Sequence, residues 1–174
     1  RWEGSGDGKI WTLHLRHDIR WNDGVPFTAD DVLFTFTDLI YHPDIITPLK
    51  SLFLINGEPI ALTAPDPYTV VFTLPAPFAP FLRSLSVSIV PRHILEPFVR
   101  NGTFNKTWSI STDPRLIVGT GPFCLERYRP GEEVVLRRNP YYWKRDAAGA
   151  PLPYLDRLRF LIIQSEDIAL LTFT

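Results

Sequence analysis

Cysteine is almost absent from this chain of 174 residues, and methionine is absent altogether. The single cysteine, Cys124, rules out a disulfide within the chain. That leaves the compartment open, because a domain of this size builds a core without cross-links. Cys124 lies between Phe123 and Leu125 in an apolar strand pattern, which predicts a buried, unreactive thiol. No apolar run approaches the roughly 20 residues of a membrane-spanning helix. The chain opens on Arg1 without an export signal. With no methionine present, this reads as a piece of a longer protein, so the missing signal carries no weight. Charge of one sign is lacking too: 18 Lys and Arg against 19 Asp and Glu give a net charge of −1, with no acidic or basic block. A nucleic acid or a membrane surface held by bulk charge is thereby excluded.

Aromatic residues are plentiful, at 13% with 12 Phe and 5 Trp. Large rings build cores, and some line binding clefts, because they give wide contact at low entropy cost. Residues 10–16 alternate, with Trp11, Leu13 and Leu15 on one side, as in a strand with one buried face. A second short strand is expected at Ile19 to Trp21, followed by a turn at Asn22-Asp23-Gly24. Thr28 and Asp31 are spaced as a capping box, opening a helix over Ala29 to Ile40. The pattern further predicts a hairpin over Glu58 to Thr63 and Tyr68 to Leu74, and short helices at Phe78 to Leu85 and Pro91 to Val99. A small strand is expected at Ser86 to Val90. Phe123 to Tyr128 and Val134 to Arg138 read as a second hairpin. Leu155 to Ile163 reads as a central strand buried on both faces, and a helix opens at Asp167. The fold class is α/β in the broad sense, mixed and rich in sheet.

No arrangement in the chain supports catalysis. Gly119-Thr120-Gly121 is a poor phosphate loop, since Pro122 removes a donor and a strand follows instead of a helix. A tight crossing where no side chain fits explains the glycines instead. Of the four histidines, His14, His17, His42 and His93, the first two point to opposite faces and His93 sits early in a short helix; surface or capping roles are the default, so no metal site is expected. Asp30 and Asp31 are adjacent on a helix and diverge by ~100°. No nucleophile elbow is present. A hydrolase or metalloenzyme is the weakest reading, behind a ligand-free structural or interaction module.

Three ordered stretches carry a resemblance. They are Trp11 to Phe36 (with Trp21-Asn22-Asp23-Gly24 and Phe27-Thr28-Ala29-Asp30-Asp31-Val32), Val118 to Phe123, and Arg138 to Trp143. Trp2, Asp7-Gly8-Lys9 and Val90-Pro91-Arg92-His93 fall in order with them. The set resembles the bacterial family 5 solute-binding proteins of peptide- and nickel-type ABC importers. The resemblance implies a partial lobe of a type II periplasmic binding protein, with the extra small subdomain of the dipeptide-binding type. Residues 1–117 would form that subdomain of the first lobe, and residues 118–174 a returning part of the lobe's main sheet. It implies capture of a solute, an oligopeptide first, with nickel chelates, opines and oligosaccharides as alternatives. It implies an ABC permease as partner, an extracytoplasmic location, and no cofactor, enzyme activity or nucleic-acid partner. The membrane would be met only through the permease or through a lipid anchor outside this piece. Phe53, Ser86, Ser88 and Thr120 are the residues it places toward the solute; for Phe53 a place in the core is an equal reading. The groups that anchor peptide ends would lie elsewhere in the full protein.

Overall fold

Alternating sequence becomes sheet where one face can be buried. In the computed structural model, which describes residues 1–163, Trp2–Gly4 (β1), Ile10–His14 (β2), Ala61–Asp66 (β5) and Thr69–Thr73 (β6) form an antiparallel sheet. Its strand order is β1-β2-β6-β5. Trp11 faces Phe72 and Leu13 faces Val70 across β2 and β6, so the apolar side chains of both strands share one side. A bulge between Thr63 and Asp66 carries β5 as far as Asp66, past the turn expected at Ala64 to Pro67. Leu54–Ile55 (β3) and Glu58–Pro59 (β4) add a small hairpin.

Helix Ala29–Phe34 (α1) lies against this sheet and starts where Thr28 and Asp31 predict, with the capping box present. The predicted helix to Ile40 exists, but Thr35–Ile40 is a π-helix. The sequence supplies a reason. Thr35 Oγ1 donates to the Asp31 carbonyl and Thr37 Oγ1 to the Leu33 carbonyl, both at 2.8 Å, so two i−4 acceptors are shared with hydroxyls. Such sharing loosens the regular ladder. Leu49–Leu52 (α2), Phe81–Ser84 (α3) and Arg92–Arg100 (α4) are the other α-helices of the described residues. Pro91 sits at the N-cap of α4 instead of its first turn.

The chain forms two compact units. Residues 1–18 and 26–106 make the first; of the described residues, 19–25 and 107–163 make the second. In the first unit Phe36 meets Phe53 and Phe72 edge-on at 4.8 and 5.5 Å, and Phe81 meets Phe72 at 5.3 Å. Burial of these rings, each worth about 1.5–3 kcal/mol, dominates the unit's stability. Asp31 links α1 to α4: its Oδ2 accepts the Thr28 N–H and its Oδ1 the Arg92 N–H, both at 3.0 Å.

In the second unit Phe123–Arg129 (β7), Glu133–Arg138 (β8) and Arg157–Leu161 (β9) form an antiparallel sheet. The strand expected as central is an edge. β9 bonds only to β8, and Phe160 and Leu161 are 54% and 43% exposed, because among the described residues no element covers them. The expected strands at Ile19 to Trp21 and Ser86 to Val90 form no ladder, and the helix expected from Asp167 lies outside the described residues. Among the described residues no helix is long and apolar enough to cross a membrane.

Carboxylates in both units are held below their ordinary range by guanidinium partners. Arg115 brings Asp113 down to about 2, and Arg159, with Arg127, lowers Glu133. Arg92 lowers Glu96. A carboxylate depressed on folding contributes stability above its unfolded pKa of ~4, and that contribution disappears as pH falls toward the folded value. The urea midpoint should therefore fall steadily between about pH 5 and pH 2. A flat profile in that window would show that these pairs do not help to hold the fold.

Candidate functional site

The motif stretches that carry the resemblance are far apart in sequence, and three of them meet in the second unit. The Asn22 N–H donates to the Gly119 carbonyl at 3.0 Å. Asn139 is 1% exposed and works at every polar atom. Its Nδ2 donates to the Gly121 carbonyl at 2.8 Å and its own N–H to the Pro122 carbonyl at 2.9 Å. Its Oδ1 accepts the Tyr141 N–H at 2.9 Å, and its carbonyl the Tyr142 N–H at 3.2 Å. The turn at residues 22–24, the crossing at 118–123 and the corner at 139–142 are thus one hydrogen-bonded cluster.

Gly24 completes it. The turn needs φ +92° there, and a Cβ would come within 3.1 Å of the Tyr141 ring. A left-handed residue with a side chain costs about 1–2 kcal/mol, while the half-exposed ring can yield. Gly24→Ala should lower stability by about that amount in a urea melt. No loss would mean that the turn relaxes to another type.

Gly119 and Gly121 differ from Gly24. Neither requires positive φ, and a Cβ on Gly119 meets nothing within 4 Å, while on Gly121 it meets only the Phe123 carbonyl at 4.0 Å. The expected crossing too tight for a side chain is therefore not found. The room over both glycines is open.

The expected solute-facing residues have different surroundings. Phe53 is fully buried in the first unit against Phe36, and its carbonyl accepts the Tyr41 hydroxyl at 3.1 Å, so its ring presents no surface. Ser86 and Ser88 are exposed. Val87 and Ile89, between and beyond them, turn inward over an apolar cavity of about 120 Å³ that Val32, Phe36 and Val70 also line. Thr120 is half-buried and belongs to the second unit, so the structure does not gather all four in one unit.

A depression that the sequence did not indicate lies in the second unit. It measures about 260 Å³ and is lined by Asn22, Asp23, Arg115, Cys124, Glu126 and Arg137, among others. Its charges are mixed. Burial pushes the Cys124 thiol upward, against a smaller opposing effect of a hydrogen bond with Asn22, which leaves it a poor nucleophile. The pairing of residues 22 and 124 across about a hundred positions leaves no local signal in the sequence. Among the described residues no three His, Cys, Asp or Glu side chains are grouped to hold a metal ion.

Known proteins share this architecture. The periplasmic α-galactoside-binding protein of Rhizobium meliloti is 35% identical over 91% of this chain and 24% of its own length. The periplasmic oligopeptide-binding protein OppA of Salmonella typhimurium is 32% identical over 82% of this chain and 27% of its own. Among solved structures, the ABC transporter substrate-binding protein CtaP of Listeria monocytogenes superposes with a TM-score of 0.75 at 28% identity. That match covers 99% of this chain and 33% of CtaP. The chain thus spans a quarter to a third of the length of these relatives. The profile of the bacterial extracellular solute-binding proteins, family 5 Middle, matches residues 1–173, and the chain belongs to that family.

Proposed function

We propose that this chain serves solute capture for an ABC importer, as part of one lobe of the binding protein, and that the solute is an oligopeptide. The observation that carries the reading is the use made of the shared motifs. Asn22 and Asn139 are spent on bracing one backbone crossing, with Tyr141 bonded to Asn139 and Gly24 lying against its ring, and no reactive group is among them. A scaffold built this way suits a receptor whose ligand is held by shape and hydrogen bonds. The likeness to OppA supports a peptide; the likeness to the α-galactoside-binding protein keeps an oligosaccharide as the competing solute.

In this reading residues 1–117 supply the extra subdomain of the first lobe and residues 118–174 return to its main sheet. Solute is enclosed when two lobes close over it, and the closed form meets an ABC permease outside the cytoplasm. Ser86, Ser88 and Thr120 are the contacts this chain offers; Phe53, without exposed surface, supports the core beneath. The test is a native mass-spectrometric screen of the full-length protein against tripeptides to pentapeptides, α-galactosides and nickel–histidine. Retention of peptides is expected. Retention of galactosides alone would overturn the peptide assignment, and turnover of any substrate would overturn the receptor reading. The 174-residue chain by itself should bind none of them tightly, because one lobe offers about half the contact and no closure.

A further inference from the structure

The segment Gly119-Thr120-Gly121 has its carbonyls engaged and its amides unused. The Gly119 carbonyl accepts from Asn22 and the Gly121 carbonyl from Asn139. Among the described residues, the N–H groups of Gly119, Thr120 and Gly121 donate to no acceptor. The segment is half-exposed to exposed, and among the described residues neither dihedral angles nor neighbours demand glycine at either end. Glycine is useful in another circumstance, when something outside must come within contact distance of the backbone itself.

We propose that residues 119–121 form an amide edge that receives a main-chain oxygen, carboxylate or carbonyl, of a peptide solute. The inference deepens the solute-binding reading above and rests on it. Unpaired backbone N–H groups capture peptide carboxylates and carbonyls in known recognition modes. Here the donors are pre-positioned, because Asn22 and Asn139 fix the carbonyls of the same segment and little ordering remains to be done on binding. Pro122, which has no N–H, ends the row, and the flanking glycines leave room for close approach. A phosphate is a poorer fit, since strand β7 follows where a helix N-terminus would be needed.

The experiment uses the full-length protein and a mixed-sequence tripeptide library with free termini. At saturation, hydrogen exchange of the amides of residues 119–121 should slow by about tenfold or more. Gly121→Ala and Gly119→Ala should each weaken library binding by about tenfold, the scale of one charge-assisted hydrogen bond, with the melting temperature of the ligand-free protein unchanged. A library amidated at the C-terminus separates the two oxygen sources: lost protection marks a carboxylate, retained protection an internal carbonyl. Binding without any change in exchange at residues 119–121 would overturn the amide edge and leave the peptide reading intact. No binding of either library would remove the peptide reading and this edge with it. A lower melting temperature of ligand-free Gly121→Ala would show that the edge packs against another part of the protein, and would also overturn the proposal.

Discussion

Asp31→Ala should destabilise the first unit by about 2–5 kcal/mol. Asp31 is 4% exposed, and its two oxygens each accept a backbone N–H, from Thr28 and from Arg92. Removing the carboxylate takes a charged acceptor from two half-buried donors, at about 1–3 kcal/mol each. It also removes negative charge from the first turn of α1, where the helix dipole favours it. Thr28→Ala breaks only the other half of the capping box and should cost about 0.5–2 kcal/mol. The comparison is the test: urea melts followed by tryptophan fluorescence should rank wild type above Thr28→Ala and Thr28→Ala above Asp31→Ala. If the two variants were equally stable, the bond from Arg92 would carry no energy and the coupling of α1 to α4 would rest on apolar contacts alone.

Asn139→Ala should have the second large effect, in the second unit, at about 1–3 kcal/mol for its two side-chain hydrogen bonds. The Gly121 carbonyl and the Tyr141 N–H both lose the buried amide that pairs with them. Asn139→Asp gives a sharper diagnosis, because it keeps the shape and reverses one bond. A carboxylate in place of the amide nitrogen opposes the Gly121 carbonyl, acceptor against acceptor, and is buried. The new carboxyl would have a raised pKa on folding, so its cost is greatest above that pKa and shrinks as pH falls and the proton supplies a donor. Stability of Asn139→Asp relative to wild type should thus improve on acidification, opposite to the trend of the chain's own carboxylates. A gap between the two proteins that does not change with pH would place Asn139 outside the hydrogen-bonded cluster.

Much of the fold is legible from local chemistry. The alternation of Trp11, Leu13, Val70 and Phe72 places β2 and β6 with their apolar sides together, and the spacing of Thr28 and Asp31 sets where α1 starts. These are nearest-neighbour effects, decided by a period of two or by a cap three residues away. The family, too, is legible, because several short motifs recur in order. The π-helix at Thr35–Ile40 was open to inference from the two threonines, but hydroxyl competition with a helical ladder is too weak a preference to predict one.

Other features depend on what lies nearby in space, and a sequence pattern carries no record of that. Phe160-Leu161-Ile162-Ile163 has the composition of a buried strand, yet β9 is an edge here, since burial depends on a neighbour that the pattern does not contain. Ser86 to Val90 alternates as a strand does and pairs with none, its Val90 N–H going to the Thr35 hydroxyl at 3.1 Å instead. Phe53 reads equally well as cleft or core until its packing against Phe36 decides for the core. The sequence by itself determined strands β2, β6, β7 and β8, the start of α1 and the family, because those are set by short local patterns. Only the tertiary structure decided that Asn22 and Asn139 brace the segment at Gly119 to Pro122, with Gly24 and Tyr141 beside them. Hydrogen bonds across some 20 to 100 residues of chain arise from the path of the backbone, which no local period encodes.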